Sequence, residues 1–208
     1  PRDKADLSAF RNMGLPFWLA GSYGSPEGMK CALAEGASGV QAGTAFALCK
    51  ESGLIPEMRR ELIREALAGK ARVFTDAQAS PTGFPFKVAD LAGSLSEEAV
   101  YRKRRRVCDI GFLRQPYRRA DGQIGYRCPA EPLDIYLGKG GREEDTLGRK
   151  CLCNALAANI GMPQRLPDGT DEKCLVTMGD DLIDIGRFCT PKAPDYSAAD
   201  VIRVMLGT

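Results

Sequence analysis

The stretch LPFWLAGSYGSPEGMKCALAEGASGVQAGTAF, residues 15–46, decides the fold. Its first six residues, LPFWLA, form a short apolar run without alternation, the pattern of a strand covered on both faces. GSYG follows. Ser25 then suits an N-cap, and Pro26 the first helical position, where a missing N–H has no intrahelical partner to lose. Residues 26–35 therefore read as a helix, with Gly36 in the left-handed position beyond its end. A second strand, ASGVQA, closes at Gly43-Thr44, and AFALCKES reads as a second helical start. Strand, glycine loop, helix, strand, glycine loop, helix predicts a parallel sheet, either open or closed into a barrel.

Working outward, residues 56–68, PEMRRELIREALA, carry Leu62, Ile63, Ala66 and Leu67 at helical spacing, begun by Pro56 and ended by Gly69. From about residue 71 the pattern changes. ARVFTDAQASPTGFPFKVADL shows no sustained period and reads as an ordered loop. SEEAVYRKRRR follows as a helix with Ser96 as cap, acids in its first turn and bases in its last. Between 107 and 195 glycine, proline and cysteine are frequent and periodicity is weak, and SAADVIRVML reads as a closing helix capped by Ser197. No internal repeat or low-complexity tract is visible. The expected organisation is a β/α segment over residues 1–70 and a cysteine-containing, loop-rich and partly helical extension over 71–208 that packs on it.

The chain has 208 residues, 44% hydrophobic and 27% charged, with a formal charge of +2, which suits a folded domain rather than a disordered tail. No apolar stretch approaches the roughly 20 residues that cross a bilayer, and the charged opening PRDKADLSAF is unlike a signal peptide. Eight cysteines without a secretion signal point to reduced thiols, so a cytoplasmic setting is expected. PRDKADLSAF also lacks an initiator methionine, which suggests a fragment or a processed chain. There is no histidine, so no imidazole base, no Ser-His or Cys-His nucleophile and no histidine-held metal can come from these residues.

The two glycine loops are where chemistry is expected. In parallel β/α proteins ligands bind at the carboxyl ends of strands, and many barrels hold a phosphate between two consecutive loops. Glycine lets backbone N–H groups approach an anion closely. Each amide-to-anion bond contributes about 1.5–3 kcal/mol, and Thr44 adds a hydroxyl donor. Ordinary βα turns use the same glycines, so spacing alone leaves both readings open.

The residues resemble the C-terminal barrel segment of the nitronate monooxygenase family, the 2-nitropropane dioxygenase-like flavoproteins, which includes flavin-dependent enoyl-acyl carrier protein reductases. The matching pattern is Ala20-Gly21-Ser22, Gly36-Ala37, Val40-Gln41 and Gly43-Thr44-Ala45-Phe46, over about 40 residues. The resemblance implies the C-terminal part of a (β/α)8 TIM barrel, with FMN as cofactor. It also implies Gly21, Ser22, Gly43 and Thr44 around the FMN phosphate and Gln41 near the cofactor. Ser22 stands where the family has glycine, and Ala45-Phe46 where it has Arg-Phe. The implied reaction is oxidation of an alkyl nitronate with dioxygen to a carbonyl compound and nitrite; the alternative within the family is an enoyl thioester reductase using NAD(P)H. The partners are then a small-molecule substrate and dioxygen, with neither nucleic acid nor membrane. No catalytic residue is assigned, because the family's histidine base and the other six strands have no counterpart here. Thr82-Gly83-Phe84-Pro85 resembles a loop after the barrel; it would either cover the active site or, as a packing loop, bury Phe84 and Phe86.

Two features remain outside the resemblance. Cys108, Cys128, Cys151 and Cys153 supply four thiols in a compact segment, but two isolated cysteines and one CxC do not make the paired CxxC knuckles of common zinc sites. Buried thiols acting as small apolar side chains are the simpler reading, and no metal ligand is assigned. A cysteine-rich metal- or anion-binding module is the reading from outside enzymology. Residues 102–119 hold eight Lys or Arg against one acid, Asp109. Solvation, or pairing with Glu143, Glu144 and Asp145, explains them more simply than an anionic partner.

Overall fold

A computed structural model describes residues 6–208; the opening PRDKA lies outside the described residues. The chain is a mixed α/β protein with three separate two-stranded sheets, and no closed barrel is formed among the described residues. After α1 (Leu7–Asn12) come β1 (Trp18–Ala20), α2 (Pro26–Ala34), β2 (Gly39–Gln41), the single turn α3 (Thr44–Ala47) and α4 (Pro56–Leu67). β1 and β2 run parallel, with Trp18 opposite Gly39 and Ala20 opposite Gln41. The β/α alternation of residues 15–46 is thus realised.

Local signals explain these elements. The Ser25 hydroxyl accepts the Gly28 N–H at 3.0 Å to open α2, and Gly36, at φ +83°, ends it. α4 buries Met58, Arg59, Leu62, Ile63 and Ala66 on one face. β1 departs from expectation: it was read as covered on both faces, yet Trp18 is 54% exposed and Ala20 is exposed. The strand has one neighbour, β2, so its other edge and much of its surface remain open. The helical start after Gly43 is also shorter than read, since Leu48 already leaves helical geometry.

The segment read as an ordered loop is instead a hairpin, β3 (Val73–Asp76) against β4 (Phe86–Ala89), antiparallel. Its far edge is extended by residues 176–178: the Ala89 N–H donates to the Val176 carbonyl at 2.9 Å and the Met178 N–H to Lys87 at 3.1 Å. Phe84 is 69% exposed, so only Phe86 packs inward. α5 (Glu98–Lys103) starts one residue later than read. Ser96 does not cap it: its hydroxyl accepts the Leu91 N–H at 3.1 Å instead, and Glu97 stands at the N-cap. A second missed hairpin pairs β5 (Gln115–Arg118) with β6 (Ile124–Arg127). α6 (Leu133–Gly138), α7 (Leu152–Asn159) and α8 (Ala198–Leu206) complete the chain, the last opened by a reciprocal capping box between Ser197 and Asp200. No helix among the described residues is long and apolar enough to cross a membrane.

The main core draws on both sides of residue 70. Ala45, Leu48, Leu62 and Ile63 pack with Val176, Leu182, Ile185, Val201 and Met205. Tyr196 joins the halves: buried and stacked on Phe188, its hydroxyl donates to the Ala45 carbonyl at 2.6 Å. Burial, with the nearby Cys189 and Cys49, pushes its phenol above the ordinary tyrosine range. The loop that follows β2 is therefore held from the C-terminal side.

Candidate functional site

The parallel register decides what the glycine loops can do together. With Ala20 opposite Gln41, both strands end at the same level, and the two loops emerge side by side. Gly21, Ser22, Gln41, Gly43 and Thr44, the five residues singled out in the sequence, line one cavity of about 240 Å3. Lys87, Gly179, Asp180 and Asp181 from the extension complete its wall.

Each loop glycine answers to a different cause. Gly21 has φ +83°, a conformation that glycine adopts freely. Gly24 is buried, and a Cβ there would meet the Asp181 carboxylate at 2.9 Å. Gly43 has neither reason: its φ is −90°, and a Cβ would have nothing within 4 Å. A side chain at Gly43 is excluded by nothing in the fold. The bare backbone at Gly43 stands at the cavity wall, as a close backbone approach to a ligand requires.

Thr44 is 7% exposed, and its hydroxyl oxygen accepts the Gly179 N–H at 3.0 Å. That bond orients the hydroxyl and leaves its own hydrogen to donate. Ser22, at φ +68°, is the single non-glycine residue with a positive φ among those described. Strain of this kind gathers at ligand-holding turns.

The charges are mixed. Lys87 supplies the ammonium and pairs with Asp180; Asp181 faces Arg187 at 3.6 Å. An anion in the cavity would meet Lys87, the loop amides and Thr44 on one side and two carboxylates, each with a cationic partner, on the other. The one-turn α3 contributes little helix dipole, contrary to the longer helix read after Gly43.

Lys87, Gly179, Asp180 and Asp181 were not singled out in the sequence. Lys87 sits in a hairpin read as loop, and GDD at 179–181 is an unremarkable turn until the 3-10 turn Asp180–Leu182 packs against α3. The TGFP loop, with Phe84 exposed, is not part of the cavity wall.

The basic run of 102–119 is largely used within the protein. Arg102 pairs with Glu98 at 2.7 Å, Arg119 with Asp121 at 3.2 Å, and Arg104 with Glu172 in a fully buried pair. Glu144 and Asp145, read as partners of the run, pair instead with Arg142.

No family model, curated protein or solved structure matches this chain.

Proposed function

We propose that the chain carries the phosphate end of an FMN site and contributes to a flavin-dependent oxidoreductase of the nitronate monooxygenase type. The observation that carries this reading is the cavity itself. Two consecutive parallel strands bring Gly21, Ser22, Gly43 and Thr44 together at their carboxyl ends, and Gly43 lacks any steric or conformational reason to be glycine. On this reading β1 and β2 are neighbouring strands of a TIM barrel whose further strands complete the flavin pocket.

The cavity size agrees with a partial site. Pockets that bury a drug-sized ligand measure roughly 300–1,000 Å3. About 240 Å3 suits a phosphate and the chain next to it, not a whole flavin. The residues fit that group: Gly43 leaves the approach open, Thr44 offers a hydroxyl hydrogen fixed by its bond from Gly179, and Lys87 offers an ammonium that it shares with Asp180. When bound, FMN would accept electrons from an alkyl nitronate and pass them to dioxygen, with a carbonyl compound and nitrite as products. The residues here bind and orient; none is assigned to proton transfer.

The test is a visible spectrum of the purified full-length protein, with released cofactor identified by chromatography, for the wild type and for Gly43→Glu and Gly43→Ala. Wild type with FMN, a Gly43→Ala form that folds normally but holds less FMN, and a Gly43→Glu form that holds none would support the reading. A colourless wild type that takes up no added FMN, or full occupancy in Gly43→Glu, would sink it. If FMN is bound, nitronate-dependent oxygen uptake is expected; NAD(P)H consumption dependent on an enoyl thioester would move the assignment to the reductases.

A further inference from the structure

Two hydrogen-bond donors beside the cavity have nothing to bond. They belong to Arg187, in the 3-10 turn Ile185–Arg187 that follows the wall residues Gly179, Asp180 and Asp181. Its Nη1 donates to the Asp184 carbonyl at 3.2 Å, and its guanidinium carbon lies 4.8 Å from the centre of the Phe188 ring. Its Nε and Nη2 are buried, and neither has a hydrogen-bond partner among the described residues. Facing Nη2 is the Asp181 carboxylate, whose Oδ2 stands at 3.6 Å. That distance lets the two charges attract but is too long for a hydrogen bond.

A buried charged donor without a partner is costly, and folded proteins keep few of them. Here the bond is within easy reach. A movement of under about 1 Å would bring the carboxylate to the roughly 2.7–2.9 Å of a charge-assisted hydrogen bond. Gly24, buried in the loop after β1, borders the gap: a Cβ on it would come within 2.9 Å of Asp181 Oδ2 and 3.4 Å of Arg187 Nη2. Glycine leaves that corner clear. Asp181 lines the cavity and Arg187 does not, so the guanidinium stands behind the carboxylate as seen from the cavity. An anion at the loop amides and Thr44 repels the Asp181 carboxylate, and the direction away from the anion is toward Arg187.

We propose, on the reading of this cavity as an anion site, that Arg187 is a positioning residue that acts through Asp181. As the anion binds, the Asp181 carboxylate closes onto the Arg187 guanidinium, and a donor that lacks a partner gains one. The wall then meets the anion with a carboxylate whose charge is spent on Arg187. Arg187 thereby raises affinity without touching the ligand, and it does so for anions alone, because a neutral ligand gives the carboxylate no push. Asp180, the other wall carboxylate, is already paired with Lys87.

The experiment is calorimetric titration of the full-length protein with FMN and, separately, with inorganic phosphate. Arg187→Met is expected to bind each anion about 10–100-fold more weakly than the wild type, the worth of one charge-assisted hydrogen bond. Asp181→Asn, which removes the opposing charge, should bind at least as tightly as the wild type. The double variant decides between roles. With no carboxylate left to neutralise, Arg187→Met in the Asp181→Asn background should cost about twofold or less, whereas a merely structural Arg187 would cost the same in both backgrounds. Arg187→Lys, which keeps the charge but loses the planar fork, guards against a misfolded methionine form and should bind with intermediate affinity. Wild-type affinity in Arg187→Met, or an equal loss in the two backgrounds, would overturn the proposal. Phosphate binding with the expected double-variant pattern but no FMN binding would support it while sinking the flavin reading. FMN binding indifferent to Arg187 would do the reverse, and a wild type that takes neither anion would overturn both.

Discussion

Ser22 holds a left-handed conformation, φ +68°, that costs a residue with a Cβ about 1–2 kcal/mol. Ser22→Gly removes that cost while giving the unfolded chain more freedom, worth about 0.5–1 kcal/mol, so the two nearly cancel. Ser22→Val, with a branched Cβ at the same φ, should destabilise by more than about 1 kcal/mol. Urea unfolding of the three forms checks this; equal midpoints for the serine and valine proteins would mean that the backbone relaxes and no strain is stored. Of the five cavity residues, Ser22 and Gln41 entered only with the family resemblance, while Gly21, Gly43 and Thr44 were legible in the sequence because they sit where strand patterns end. Lys87, Asp180 and Asp181 were not, because their place depends on contacts with residues far away along the chain.

At the scale of elements, the buried pair of Arg104 and Glu172 joins the end of α5 to the loop preceding residues 174–178. Both side chains are almost wholly buried, and removing one partner leaves the other's charge without compensation. Glu172→Ala is therefore expected to cost about 3–5 kcal/mol, whereas replacing both by apolar residues of similar volume should cost far less. Equilibrium denaturation of the single and double variants decides it. A single variant as stable as the wild type would mean that water reaches Arg104.

Which elements could be read in advance follows from how each is specified. α2, α4 and α8 carry their own start signals, Ser25-Pro26, Pro56 and Ser197, and their apolar spacing is local. The two hairpins were missed for different reasons. β3 and β4 are joined across residues 77–85, whose one tight turn, Ser80–Gly83, lies inside a longer loop and does not link the strands directly, so their pairing is written in contacts rather than in a motif. β5 and β6 flank Asp121-Gly122, a strong hairpin signal, but the surrounding arginines and glycines obscured the alternation. Cap residues also have competing uses, as Ser96 demonstrates by bonding Leu91 instead of opening α5.

At the scale of the whole molecule, acid should loosen the protein in a defined direction. Asp76 is held below the usual carboxylate range: burial works against it, but Lys150 at 2.6 Å and the amides of Ala79 and Gln78 prevail. Asp200 is held at about 2 by the Ser197 hydroxyl and N–H and by Arg203. Groups depressed in the folded state stabilise it above the unfolded value of about 3.9 and lose that effect as pH falls through the folded value. Thermal stability should thus be flat near neutrality and fall from about pH 4 toward pH 2. Asp76→Asn should flatten part of that fall while lowering the neutral plateau; an unchanged acid limb would assign the loss to other carboxylates.

The bond between the Gly179 N–H and the Thr44 hydroxyl spans 135 positions of sequence, and it makes Gly179 a built-in reporter. A ligand that grips Thr44 stabilises the folded state by an amount set by its concentration relative to its affinity, and that stabilisation is shared with whatever Thr44 holds. In hydrogen exchange, the Gly179 amide should slow when inorganic phosphate or FMN fills the cavity, while the amides of the distant β5–β6 hairpin keep their rates. Occupancy at the end of β2 would then be readable as a clock running at a residue far along the sequence.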